Sequence, residues 1–130
     1  MKHLFTISAI ILLSIFRVSA QGIVPAKYAL KHIGKKVTIC DKVYSVNSNS
    51  NATLLYLGGD YPEQLLTIII KAGDLAKFKG HPGTDFKGKD IYVTGVIVSD
   101  KGKAQIVVSN PRQIKLLLVD SPVKPIQRVN

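Results

Sequence analysis

Cysteine is almost absent from this 130-residue sequence. Cys40 stands alone, so no intrachain disulfide ties the chain, and its stability must come from burial and backbone hydrogen bonds. Glutamate is equally scarce: Glu63 is the only one, and the aspartates Asp41, Asp60, Asp74, Asp85, Asp90, Asp100 and Asp120 are scattered. Most of these fall at turn or cap positions, which accounts for them without catalysis. His32 and His81 lie far apart and lack the spacing of zinc ligands. A nucleophilic thiol at Cys40 would need a base alongside, and no spacing supplies one, so Cys40 reads as a small buried hydrophobe in a strand. These shortages point away from an enzyme and imply neither cofactor nor metal.

Long apolar runs are missing as well, with one exception at the start. "MKHLFTISAIILLSIFRVSA" has a basic beginning at Lys2 and His3 and an apolar run from Leu4 to Phe16. Val18-Ser19-Ala20 then precede Gln21, the pattern of a secretory signal with a small-residue cleavage site. The apolar run is short of the roughly 20 residues that span a bilayer as a helix. The expected organisation is a signal peptide over 1–20, one domain over 21–118, and a loose tail over 119–130, where "DSPVKPIQRVN" has two prolines and little to bury. An exported location, periplasmic or secreted, follows, with no stable membrane insertion after cleavage.

What the mature chain has in quantity is lysine. Without Lys2 and Arg17, 16 basic residues face 8 acidic ones, a formal charge of +8. Such an excess favours polyanionic partners such as nucleic acid, acidic glycan or an anionic surface, although lysines also simply keep a small exported domain soluble.

After a lead-in at Val24–His32 with a helical turn, "IGKKVTICDKVYSVNS" reads as a long strand. Val37, Ile39 and Val43 share one face, and the alternation blurs near Asp41, which predicts a bend or bulge there. "ATLLYL" (52–57) and "LLTIIIK" (65–71) read as second and third strands. "AGDLAKFKGHPGTDFKG" then changes character: Asp74 as N-cap, with Leu75 and Phe78 at helical spacing, predicts one short helix. "DIYVTGVIV" (90–98) and "AQIVVSN" (104–110) form a hairpin about the turn "SDKGK", with Gly95 placed where a curved strand bends and "PRQIKLLLV" extending the last strand after a break at Pro111.

Three strands, a short helix and two more strands is the order of an OB-fold, an all-β, five-stranded Greek-key barrel with its helix between strands three and four. "GKKVTICDKVYSV", "ATLLYLGGDYP" and "GKDIYVTGVIVSDKGKAQIVVSNPRQI" resemble small exported single-OB-fold proteins of bacteria, over about residues 33–116. Those are relatives of the anticodon-binding type of OB module, with a "V-x-G-x-V" first strand and a "V-T-G-x-V…G-K-x-Q-I" closing hairpin. The chain departs from that pattern at Asp41, where the first strand usually has glycine.

The resemblance implies binding of single-stranded DNA or RNA across strands two and three. Such binding stacks bases on aromatic rings and seats phosphates on cations. If Leu55 and Leu57 point inward, Tyr56 lies on the outer face of strand two; Tyr61 closes over it from the following loop, and Tyr44 is a third candidate. Lys71, Lys101 and Lys103 are the expected phosphate contacts. Exported micrococcal-type nucleases share the barrel, but their chemistry needs a carboxylate cluster that this chain lacks. The competing reading is a protein- or glycan-interaction module on the same barrel without nucleic-acid affinity.

Overall fold

The computed structural model describes residues 22–118, so the expected signal peptide and tail lie outside the described residues. Eight paired segments run in chain order: β1 Ile23–Val24, β2 Lys36–Ser48, β3 Ala52–Leu57, β4 Leu66–Lys71, β5 Asp90–Val96, β6 Val98–Asp100, β7 Lys103–Val107 and β8 Ile114–Leu116. A 3-10 helix (Ala26–His32) precedes β2, two short helices, α1 Ala72–Leu75 and α2 Pro82–Asp85, follow β4, and a 3-10 turn (Pro111–Gln113) precedes β8. The chain is mostly β, with few helical residues.

β2 is the centre of the sheet. Its first half pairs antiparallel with β5, from Lys36↔Val96 to Lys42↔Asp90, and its second half pairs antiparallel with β3. β3 continues antiparallel to β4, and β4 runs parallel to β7. The sheet order is β6-β7-β4-β3-β2-β5-β8, with β1 parallel to β2 off this path. Since β5 and β6 are separated only by Ile97, the strand that flanks β2 runs on to pair with β7 at the opposite end of the order. This set of pairings, including the parallel β4–β7 contact, is OB-like.

Alternation explains why these residues form these strands. On β2, Val37, Ile39 and Val43 are buried as the sequence pattern requires. They meet Leu55, Leu57, Leu66, Ile68, Ile70, Ile91, Val93, Ile97, Ile106 and Val108 in one core. Each fully buried aliphatic side chain contributes roughly 1.5–3 kcal/mol by removal from water. Asp41 interrupts the apolar row because its carboxylate accepts the Ala26 N–H at 3.0 Å and the Lys42 N–H at 2.8 Å, which fastens the incoming chain to β2. The bulge predicted near Asp41 falls two residues later, where the register passes from Val43↔Leu57 to Ser45↔Tyr56 and leaves Tyr44 as the extra residue.

Two glycines are dictated by geometry. A Cβ on Gly95 would stand 2.6 Å from Ile106 Cγ2, so β5 can press against β7 only with glycine there. In the β6–β7 turn, Gly102 (φ 79°) and Lys101 (φ 52°) are both left-handed, the conformation a two-residue hairpin needs to match strand twist.

Three expectations need correction. The helical region holds two short helices where one was expected, because Gly80 to Pro82 divide it. Asp74 is not an N-cap: Lys71 occupies that position without a side-chain bond, and Asp74 sits within α1, paired to Lys77 at 2.8 Å. The segment after Pro111 does not extend β7 but crosses to pair with β5 as β8, because an Asn110–Gln113 capping box turns the chain first.

Candidate nucleic-acid interface

Tyr56 shows the largest departure from the sequence reading. Leu55 and Leu57 do point into the core, and Tyr56 lies opposite Ser45 and Thr67 on the other face. Yet it is only 5% exposed, because the β3–β4 loop folds back over it. Leu65 N–H donates to the Leu57 carbonyl at 3.0 Å, and buried Gln64 donates through Nε2 to Thr67 Oγ1 at 3.3 Å. Tyr61 completes the cover, its ring centroid 5.2 Å from that of Tyr56 and tilted by 40°. Tyr56 is therefore a floor under Tyr61 and not itself a platform for bases. No strand periodicity reports on a loop that folds back, so alternation alone could not reveal this.

Tyr61, by contrast, is 64% exposed. The loop carrying it is tied to the closing hairpin, since Lys103 Nζ donates to the Pro62 carbonyl at 2.9 Å. Lys101, in the same turn, is exposed to solvent. Tyr44 is 48% exposed on the β2 bulge, with Lys42 Nζ 5.1 Å from its ring centroid. The Lys42 carbonyl accepts the Gly58 N–H, so the Tyr44 strand and the start of the Tyr61 loop adjoin. Tyr44, Tyr61 and Lys103 thus lie at one end of the sheet, with Tyr56 beneath Tyr61. Lys71 does not join them: it ends β4, five residues beyond Leu66, a rise of roughly 17 Å along the strand.

A further cluster at this end escaped the sequence reading. Lys27 and Lys31 both hold Nζ 5.1 Å from the Tyr28 ring centroid, on the 3-10 helix. Ala26 at the head of that helix packs against Gly58 at the head of the Tyr61 loop. The signal was present as "KYALK", a tyrosine between lysines one helical turn apart. Cation–π contacts of this kind contribute about 0.5–1 kcal/mol when exposed and hold a ring at a fixed angle. Asp60 and Glu63 share the Tyr61 loop and offset part of the positive charge; Asp60 Oδ1 is engaged by the Tyr61 N–H at 2.8 Å.

Cys40 is half-buried on β2, opposite Tyr92, and more open than expected. Burial, then the carboxylates of Asp90 and Asp41, push its thiol pKa up, the opposite of what activates a thiol nucleophile. Among the described residues, no three His, Cys, Asp or Glu side chains converge as metal ligands, and no helix is long and apolar enough to cross a membrane.

No protein-family model matches the chain, and no curated protein matches it in sequence. Solved structures of related shape include asparaginyl-tRNA synthetase from Pyrococcus horikoshii, with a TM-score of 0.46 and 14% identity over 67% of this chain and 20% of that one. Aspartyl tRNA synthetase from Entamoeba histolytica gives a TM-score of 0.45 and 14% identity over 66% of this chain and 19% of that one. The OBody AM1L10, solved bound to hen egg-white lysozyme, gives 0.45 and 14% identity over 67% of this chain and 83% of that one. The chain spans about a fifth of the length of these synthetases. The OB-like assignment rests on the strand pairings above.

Proposed function

We propose that this chain is an exported, non-enzymatic module that binds single-stranded nucleic acid at the end of the sheet bearing Tyr44, Tyr61 and Tyr28. The reading takes the sheet as a five-stranded Greek-key OB barrel in which β5 and β6 are halves of one bent fourth strand. It takes residues 1–20 as a signal removed at Ala20. The observation that carries it is the Tyr61 ring, exposed, seated on Tyr56 and held beside Lys103. A fixed exposed ring next to cations is what a base and its phosphate require, and each stacked base is worth about 1–3 kcal/mol.

Fluorescence anisotropy against labelled single-stranded and duplex oligonucleotides, at low and physiological salt, tests the reading. Single-strand preference that weakens with salt and falls on Tyr61→Ala supports it. Binding indifferent to strandedness and to Tyr61 reduces the charge to general attraction. Intact mass of the protein recovered from a secreting host tests export, the expected product beginning at Gln21.

A protein- or glycan-interaction module is the second reading, favoured by a different surface. Val96, Val98 and Val107 are exposed side by side where β5 passes into β6, and the Ile33–Ile97 bridge sets exposed Ile33 beside them. An apolar patch of this kind suits a protein partner better than a polyanion.

A further inference from the structure

A second site lies away from the tyrosines, between the helical segment after β4 and the turn before β8. There a cavity of about 480 Å³ opens, lined on one side by Phe78, Lys79, Asp85 and Phe86 and on the other by Asn110 and Arg112. Its size falls within the roughly 300–1,000 Å³ of small-molecule sites. Both walls are fixed. Lys77 Nζ reaches across, donating to Asp74 Oδ1 at 2.8 Å and to the Ser109 carbonyl at 3.1 Å. On the far side, Gln113 Oε1 accepts the Ser109 and Asn110 N–H groups, and its Nε2 donates to the Thr94 carbonyl, so the turn carrying Arg112 is anchored to β5.

The chemistry of the lining is mixed in a definite way. Phe78 and Phe86 each pack one part of the ring on the core and leave the rest uncovered, offering apolar flats. Lys77 is neutralised by Asp74, but Lys79 and Arg112 have no ion-pair partner among the described residues. Asp85 spends Oδ2 on the His81 N–H at 2.9 Å, which leaves Oδ1 as an acceptor at the same cavity. Apolar flats, two free cations and one free carboxylate oxygen together call for a planar ring that carries an N–H donor and an anionic group.

We propose that this cavity binds a nucleotide, its base against Phe78 and Phe86, a base N–H donated to Asp85, and its phosphate on Arg112 and Lys79. The site does not depend on the tyrosine end: either can fail without the other. Two sources present the same chemistry, a free mononucleotide and the phosphorylated end of a strand.

Amide chemical-shift titration of the full chain with adenosine 5′-monophosphate, with adenosine and with inorganic phosphate tests the proposal residue by residue. The monophosphate is expected to move the Phe78, Lys79, Phe86 and Arg112 amides and to saturate at about tenfold lower concentration than either fragment, since base and phosphate are held together. Arg112→Gln is expected to weaken it about tenfold, the scale of a charge-assisted hydrogen bond, while the spectrum reports that the fold is kept. A 5′-phosphorylated oligonucleotide compared with its 5′-hydroxyl form separates the sources: competition by the phosphorylated strand assigns a strand end, and saturation by the mononucleotide alone assigns the free form. Shifts no stronger for the monophosphate than for phosphate, unaltered by Arg112→Gln, or confined to the Tyr44 and Tyr61 region would overturn it.

Discussion

Tyr61 rests its ring on Tyr56 with centroids 5.2 Å apart, and this one contact joins the core to the surface: the lower ring is buried, the upper one exposed. The two tyrosines therefore do different work. Tyr56→Ala removes a buried aromatic ring and is expected to cost about 3 kcal/mol or more of stability, as large-to-small core changes do. Tyr61→Ala gives up only the aromatic pair, about 1 kcal/mol. It is expected to lower single-strand affinity at least about fivefold, the smallest loss for one stacked base. Tyr61→Phe should keep binding, because the ring face and not the hydroxyl makes the contact. Urea denaturation and anisotropy on the same three variants separate support from contact; equal stability loss for both alanine variants would show that Tyr61 is structural.

Lysine position matters more than lysine number. Lys103 is held at the Tyr61 loop by its bond to the Pro62 carbonyl, whereas Lys71 ends the far side of β4. For a strand of about six nucleotides, Lys103→Gln is expected to reduce the slope of log affinity against log salt by about 0.7, one phosphate contact, and Lys71→Gln to leave it unchanged. Equal effects from both would mean that the charge acts as a diffuse field.

β5 packs against β7 at a distance that only glycine permits at position 95. Because a Cβ at position 95 would meet Ile106 Cγ2 at 2.6 Å and Gln113 Nε2 at 3.4 Å, Gly95→Ala must displace one strand or the turn behind it. A destabilisation of about 1–3 kcal/mol is expected from such overpacking. It is measurable as a lower urea midpoint with an unchanged slope. A neutral effect would show that β7 yields freely and that the sheet is less tightly drawn than the structure has it.

These cases show which parts of the fold were legible beforehand. The row Val37, Ile39, Val43 and the pair Leu55, Leu57 read correctly because burial on a strand has a period of two, which a sequence displays directly. Gly95 read as a special position because a glycine inside an apolar strand marks a bend or a close approach of another element. The cover over Tyr56 did not read, since the loop from Gly58 to Leu65 has no period and its bond from Gln64 to Thr67 depends on where the loop folds back. The bulge was displaced from Asp41 to Val43–Ser45 for a similar reason: Asp41 broke the pattern by capping the Ala26 N–H, a contact with a distant part of the chain. The cavity beside Phe86 is assembled from segments far apart in sequence, and no local motif announces it. The cluster at Tyr28, by contrast, was written locally in "KYALK" and went unread because a short lead-in helix gives no reason to single out its tyrosine.

Cys40 gives the last prediction, and its sign follows from its neighbours. Burial, Asp90 and Asp41 all raise the thiol pKa in the folded chain above the roughly 8.5 of an unfolded one. Between those two values the unfolded chain has released a proton that the folded chain keeps, so unfolding becomes easier with rising pH. The stability that Cys40 contributes is thus complete below about pH 8.5 and declines as pH climbs toward the folded pKa. Thermal melts across pH 7 to 10 should fall more steeply for the natural chain than for Cys40→Ser, the difference isolating this group from titrating lysines and tyrosines. Iodoacetamide at a fixed pH near 8 should label native Cys40 more slowly than the urea-unfolded chain, and Asp90→Asn should speed native labelling by removing one of the charges that hold the proton. Fast labelling of the native thiol at neutral pH, unaltered by Asp90→Asn, would mean that the carboxylates do not govern it, and would bring Cys40 back as a reactive group.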